Sequence, residues 1–295
     1  EWMWLSFPFG ISAQVLRGLR WRQVLTPLGE RPRLSTCMHA VFFSYFSSLV
    51  VPRSGEVLRC GVLRRYEGVS FSRGVGSVVT ERMVDMSMVA LFSLVTVLTQ
   101  MPLFVRFLGE TGLSLSGFLH GFTTTGYLVT AACLVFIVAT GFLLFRRLDF
   151  FSRTRDMLND FMAGMLSVRR VRRPWLFWFY SAGIWVSYYL HFYLAFFCFD
   201  FTAGLGPLAA WVAFVVGCFA VLVPTPNGAG PWHFAVKTVL VLYGLGETDA
   251  ALFVLIVHTL QTLLIVALGL ESIAGLAFTR KHPASTISPP PTPNV

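Results

Sequence analysis

Seven stretches without a charged residue divide the chain, at 2–16, 34–52, 86–105, 121–145, 174–199, 201–236 and 250–270. A helix that crosses a bilayer needs about 20 mainly apolar residues. The third, fourth, fifth and seventh stretches reach that length directly. The sixth exceeds it but is broken by a cluster of prolines and glycines at 224–231. The first is short and reads as a span whose upstream part precedes this sequence. No cleavable signal pattern stands at the start. The pattern predicts an all-α polytopic membrane protein.

Composition narrows the partners. Only 13% of the residues are charged, against 55% hydrophobic and 15% aromatic, where soluble domains carry about 25% charged. The net charge of +9 comes from 23 Lys+Arg and 14 Asp+Glu, and only Lys237 and Lys281 are lysines. A basic balance often points to nucleic acid, but that needs a solvated basic face. Here no charge stands between Asp200 and Lys237. Nucleic-acid binding, a collagen and a disordered chain are excluded. Cys37, Cys60, Cys133, Cys198 and Cys218 have no paired spacing, so neither a disulfide framework nor a metal site is expected. No cofactor motif is present.

Arginine placement orients the spans, because cytoplasmic loops collect Lys and Arg. The groups are Arg17, Arg20, Arg22, Arg31 and Arg33; Arg59, Arg64, Arg65 and Arg73; eight arginines between 146 and 173; and Arg280 with Lys281. They fit one topology if two apolar segments, 34–51 and 207–223, enter the membrane and return. That gives about five full crossings and two re-entrant broken helices. The expected division is a first membrane half at 1–149 with its re-entrant loop near 49–59. An amphipathic cytoplasmic connector at 150–173 follows. The second half, 174–282, has its loop near 222–233, and a Pro-rich disordered tail covers 283–295. The loops would enter from opposite faces, as in the inverted repeats of secondary transporters. The alternative is that each Pro/Gly cluster is an ordinary loop between full crossings.

Charge gathers at the first loop. In Pro52-Arg53-Ser54-Gly55-Glu56-Val57-Leu58-Arg59, the charges Arg53, Glu56 and Arg59 recur every third residue and project from roughly one helical face. Guanidinium forks hold phosphate or carboxylate oxygens, so an anionic headgroup is the natural guest. Glu81, Arg82 and Asp85 open a long apolar helix, where charges are costly and face a cavity or a partner. The simplest assembly pairs Arg59 or Arg53 with Glu81 or Asp85. A plain structural salt bridge is the competing reading.

The second loop offers Asn227, Gly228 and Gly230, then Pro231, His233 and Lys237. Its glycines permit positive φ and close approach of backbone to a ligand, Pro231 suits a first helical turn, and free helix N–H groups attract anions. His233 and Lys237 would extend one basic face. In the last span His258, Gln261 and Thr262 share a face, which suits a cavity lining or an interhelical contact.

Four segments together resemble a known family: Arg17-Gly-Leu-Arg20-Trp21-Arg22, the loop from Pro52 to Arg59, Glu81-Arg82-x-x-Asp85, and Pro226-x-Gly-x-Gly230. They look like the lysylphosphatidylglycerol synthase transmembrane family, also called the flippase-like domain family. The resemblance covers nearly the whole chain in order. It implies a multi-pass protein of the bacterial cytoplasmic (inner) membrane, with about eight spans, whose best-known members move an aminoacylated phospholipid between leaflets. The family's second loop commonly has a glycine where Asn227 stands and a glutamate where His233 stands. That departure implies a separate branch with its own substrate. The stretch carries no aminoacyl-transferase domain, so a separate transferase partner is implied if the lipid is made elsewhere.

The resulting expectation is a non-enzymatic flippase or transporter of an anionic or zwitterionic lipid. Its expected substrate-binding residues are Arg53, Glu56, Arg59, Glu81, Arg82, Asp85, Asn227, Gly228, Gly230, His233, Lys237, His258 and Gln261. The alternatives are a membrane component of a polyprenyl-phosphate-dependent glycosyl- or acyl-transferase system and an ion-coupled transporter of a small solute.

Overall fold

The computed structural model describes residues 1–101, 159–164, 166–167, 171–223 and 225–280, and every regular element among them is helical. The predicted span at 121–145, most of the connector at 150–173 and the tail at 283–295 lie outside the described residues. Helix α1 runs Trp2–Leu25, α2 Leu34–Val50, α3 Ser54–Glu67 and α4 Phe71–Thr99. Later in the chain come α5 at Pro174–Phe196, α6 at Gly206–Ala220, α7 at Pro231–Leu242 and α8 at Glu247–Phe278. One helical turn, Asp200–Ala203, precedes α6.

Local chemistry sets the breaks. Helix α2 ends where Val51 turns extended and Arg53 adopts the left-handed conformation at φ 62°. Helix α3 ends on Gly68 at φ 72°, the usual left-handed stop. In the second loop Asn227, Gly228 and Gly230 all take positive φ, and Pro231 opens α7, where its missing N–H costs nothing.

Two helical hairpins result, α2–α3 and α6–α7, each followed by a long helix. Helices α1 and α5 run antiparallel at the centre: Trp2 meets Phe197, Ser6 O meets His191, Gln14 meets Tyr188 and Arg20 meets Ser181. The outer helices pack reciprocally, α2 on α8 and α6 on α4. Arg33 at the start of α2 donates to the Arg280 carbonyl beyond the end of α8, and His39 lies 3.1 Å from Glu271. Further along, Phe46 fills the surface left open by Gly269. Lys237 of α7 pairs with Glu247 at the opposite end of α8. The hairpins therefore enter from opposite ends of α8. Their tips meet near Thr262, about 23 Å from its start at 1.5 Å per residue, close to its midpoint.

In the first hairpin α2 has 17 residues, or about 25 Å, and α3 has 14. Helix α1 is longer still, because it continues through Arg17 and Arg20 to Leu25 instead of ending before them. Among the described residues two helices, α4 and α8, are long and apolar enough to cross a bilayer. Their outer faces expose large apolar side chains, including Met83, Met86, Leu91, Leu94, Leu98, Leu255, Leu263 and Leu270. That surface calls for lipid, not water, as befits an all-α membrane protein.

Candidate functional site

The densest polar chemistry is a buried ion cluster among α1, α3 and α4. Arg17 and Arg20 are three residues apart on α1 and face the same way. Arg17 donates to Asp85 at 2.8 Å, and Arg20 reaches Asp85 at 2.8 Å and Glu81 at 3.4 Å. Arg59 of α3 donates to the other Glu81 oxygen at 2.8 Å. The side chains of Arg17, Arg20 and Arg59 are at most 3% exposed, and Glu81 is fully buried. Three guanidiniums thus face two carboxylates, leaving one positive charge in excess. Nε of Arg17 and Nε of Arg59 have no hydrogen-bond partner among the described residues.

Aromatic rings stand in for the missing counter-charge. Trp21 lies 4.6 Å from the Arg59 guanidinium, and Tyr45 and Tyr188 each lie 5.8 Å from that of Arg17. A guanidinium over a ring face is attracted to its quadrupole. The two tyrosine hydroxyls are 3.1 Å apart, and Gln14 donates to Tyr188. Ser181 accepts from Arg20, while Trp21 donates to Ser77.

The cluster opens toward the hairpin tip. Arg82 and Glu56 pair at 2.9 Å with side chains 36% and 39% exposed, and Arg82 lies 3.8 Å from Asp85. Beyond them Arg53 turns away from both carboxylates. Its guanidinium donates to the Leu222 carbonyl at the end of α6.

A second polar group sits at the other tip. Asn227 donates to Thr262 at 2.7 Å, and His258 Nε2 donates to the Asn227 carbonyl at 3.1 Å. The Gly230 N–H donates to His233 Nδ1, so the neutral ring carries its proton on Nε2. The two imidazole centroids lie 4.4 Å apart with the rings tilted by 54°, and Trp232 lies 5.1 Å from His258.

Of the sequence-derived residues, the structure gathers Glu56, Arg59, Glu81, Arg82 and Asp85 in one cluster. It gathers Asn227, His233 and His258 in another, with Gly228 and Gly230 shaping that loop. Three residues depart from expectation. Arg53 does not share the carboxylates, because its left-handed backbone aims it across the gap. Lys237 does not extend a basic face with His233, because Glu247 holds it at 2.9 Å. Gln261 forms no hydrogen bond among the described residues, although Thr262 beside it does.

Arg17 and Arg20 join the cluster, although the sequence pattern of basic groups points only to a role in leaflet orientation. The signal was present in their spacing of three beside Gln14 and Trp21, at the end of an uncharged run. Metal chemistry finds no donor set: no group of three or more metal-ligating side chains occurs among the described residues.

The family model for the lysylphosphatidylglycerol synthase TM region matches residues 1–269. A segment of 76 residues is 33% identical to the glycosyltransferase AglD of Haloferax volcanii, covering 25% of this chain and 12% of that protein. A segment of 94 residues is 31% identical to a UPF0104 membrane protein of Methanothermobacter thermautotrophicus, covering 31% of this chain and 27% of that one. The aligned segments span about an eighth and a quarter of those relatives. No solved structure matches the chain.

Proposed function

The chain belongs to the lysylphosphatidylglycerol synthase transmembrane family, and on that premise we propose that it moves an anionic or zwitterionic lipid between leaflets without chemically altering it. The observation that carries the reading is the buried excess of positive charge beside two broken hairpins: Arg17, Arg20 and Arg59 against Glu81 and Asp85. A phosphate group would complete that charge balance and accept from the unpartnered Arg17 and Arg59 donors, since guanidiniums favour phosphate oxygens. Fixed counter-charges keep the site from becoming a permanent trap for the anion.

In this reading the two hairpins are re-entrant. The arginine-rich end, with Arg22, Arg31, Arg64, Arg65 and Arg280, faces the cytoplasm. The hairpins act as opposing gates that meet at mid-depth, as in transporters built from inverted repeats. The half-exposed Arg82–Glu56 pair lies on the route from the tip to the buried cluster. His258, His233 and Asn227 line the other gate.

The test is reconstitution in liposomes with fluorescent phosphatidylglycerol, phosphatidylethanolamine or a polyprenyl phosphate, read by dithionite quenching of the outer leaflet. Wild-type protein and Lys237→Ala should translocate at least one of these lipids. Arg59→Ala and Glu81→Ala should not. Loss of none, or translocation of none by the wild type, overturns the reading.

A second reading follows from the partial likeness to AglD: a membrane module working beside a separate glycosyl- or acyl-transferase. Turnover of a labelled polyprenyl-phosphate sugar only when such a transferase is added would favour it.

A further inference from the structure

On the outer surface of α1, away from the buried cluster, a cleft of about 250 Å³ opens among Leu19, Arg22, Gln23, Arg31, Leu176 and Tyr180. Three elements form it: α1, the turn that follows it, and the start of α5. Arg22 and Arg31 are exposed, and neither forms an ion pair among the described residues. Arg172 and Arg173, close in sequence to Leu176, are also exposed, and neither forms an ion pair among the described residues. Gln23 is fixed by donating to the Arg173 carbonyl at 2.8 Å, while its own Oε1 is buried without a partner among the described residues. Two guanidiniums therefore line a concave surface that holds no acid among the described residues.

The level of the cleft identifies its guest. Trp175 and Trp178 project outward at 66% and 55% exposure one turn away on α5. Trp4 is exposed at the far end of α1, and about 27 Å of helix separates it from Arg22 at 1.5 Å per residue. That distance is close to the thickness of a hydrocarbon core, about 30 Å, and exposed tryptophans at both ends mark its two interfaces. The cleft thus lies at headgroup depth, with Leu19 and Leu176 lining its walls.

We propose that this cleft is a binding site for the headgroup of an anionic phospholipid from the arginine-side leaflet. Arg22 and Arg31 hold the phosphate oxygens in forked contacts. Gln23 Oε1 accepts from a headgroup hydroxyl, which a glycerol headgroup supplies and a choline does not. The tyrosine hydroxyl of Tyr180 closes the polar side, and an acyl chain runs down Leu19 and Leu176. The inference depends on membrane embedding but not on lipid translocation.

Native mass spectrometry of the full chain, released from micelles containing phosphatidylglycerol and phosphatidylcholine, tests it. The wild type should retain one phosphatidylglycerol in preference to phosphatidylcholine. Each arginine near an anionic headgroup contributes about fivefold in affinity, so Arg22→Ala with Arg31→Ala should weaken retention roughly 20- to 30-fold. Arg22→Lys with Arg31→Lys should retain an intermediate amount, since the charge stays and the fork is lost. Arg64→Ala with Arg65→Ala, at the same end on α3, should leave retention unchanged. Retention unaffected by the first pair, or weakened equally by the Arg64/Arg65 pair, overturns the site. Displacement of the lipid by millimolar inorganic phosphate overturns the lipid as its ligand. Dithionite quenching on the same variants separates the two proposals, because translocation and headgroup retention are read independently.

Discussion

The Arg53 guanidinium donates to the Leu222 carbonyl, so the tip of one hairpin is fastened to the end of the other hairpin's first helix. The pairing suits both partners. Leu222 lies two residues past the end of α6, where the negative end of the helix dipole favours a cation. Arg53 sits at the start of α3 in the left-handed conformation, at φ 62°, which is unfavourable for a residue with a Cβ.

Removing this latch should loosen both tips while leaving the ion cluster intact. Arg53→Ala and Arg53→Gly should both raise amide hydrogen exchange across 51–55 and 221–229. Glycine tolerates the left-handed backbone, so Arg53→Gly should be more stable than Arg53→Ala by about 1 kcal/mol in thermal unfolding. Equal stability would mean that the backbone conformation at 53 is not enforced.

The buried cluster should punish removal of a carboxylate far more than the tip pair does. Glu81→Gln leaves Arg20 and Arg59 facing an uncharged amide, and breaking a buried pair costs about 3–5 kcal/mol. Glu56→Gln breaks a pair that is more than a third exposed, and should cost about 1 kcal/mol or less. Unfolding midpoints in detergent should rank the two variants in that order. A double-mutant cycle on Arg59 and Glu81 should show strong coupling.

At the second tip the hydrogen-bond direction is fixed. Thr262 donates its hydroxyl to the His258 carbonyl and therefore accepts from the Asn227 amide. Asn227→Asp replaces that donor with an oxygen and should destabilise by about 1–3 kcal/mol. Asn227→Gly suits the φ of 51° and should be the milder change. A chemical-denaturation series on the two variants checks the order.

Helices α2 and α3 touch at Gly55. A Cβ there would clash with the Ser44 carbonyl oxygen, and that backbone cannot rotate away as a side chain would. Gly55→Ala should force the hairpin apart, cost about 3 kcal/mol or more, and reduce the monodisperse fraction on size exclusion. At Gly269 the clash is with the Phe46 ring and its Cβ. Gly269→Ala should therefore be less damaging, because part of the clash falls on a side chain.

Lys237→Ala should leave both the unfolding midpoint and hydrogen exchange of the second loop unchanged. Its partner Glu247 is 78% exposed, and exposed pairs of this kind contribute little. A change in loop exchange would restore Lys237 to the gate.

Much of this architecture follows from one-dimensional features. Uncharged runs mark α2 and α5 within a few residues, since burying charge in lipid or core is costly wherever it occurs, while α1, α4 and α8 extend past theirs. The Pro/Gly clusters at 52–55 and 226–231 mark the hairpin tips, because prolines lack a donor and glycines accept positive φ. The i,i+4 spacing of Glu81 and Asp85 places both carboxylates on one face of α4. These are short-range properties, and the sequence states them directly.

Which charges meet is a different matter. Arg20 and Glu81 are separated by 61 residues, and although their spacing of three puts Arg17 and Arg20 on one helical face, it does not say that this face turns inward while that of the neighbouring Arg22 turns outward. Arg53 and Arg59 look equivalent by spacing, yet one fastens a hairpin tip and the other neutralises a buried carboxylate. The sequence by itself determined that this protein is helical, apolar and interrupted at two places, because those properties depend on each residue's own solvation and backbone freedom. Tertiary structure decided the pairing of charges, since the antiparallel packing of α1 on α5 turns one face of α1 inward, and only burial tells a core arginine from a surface one.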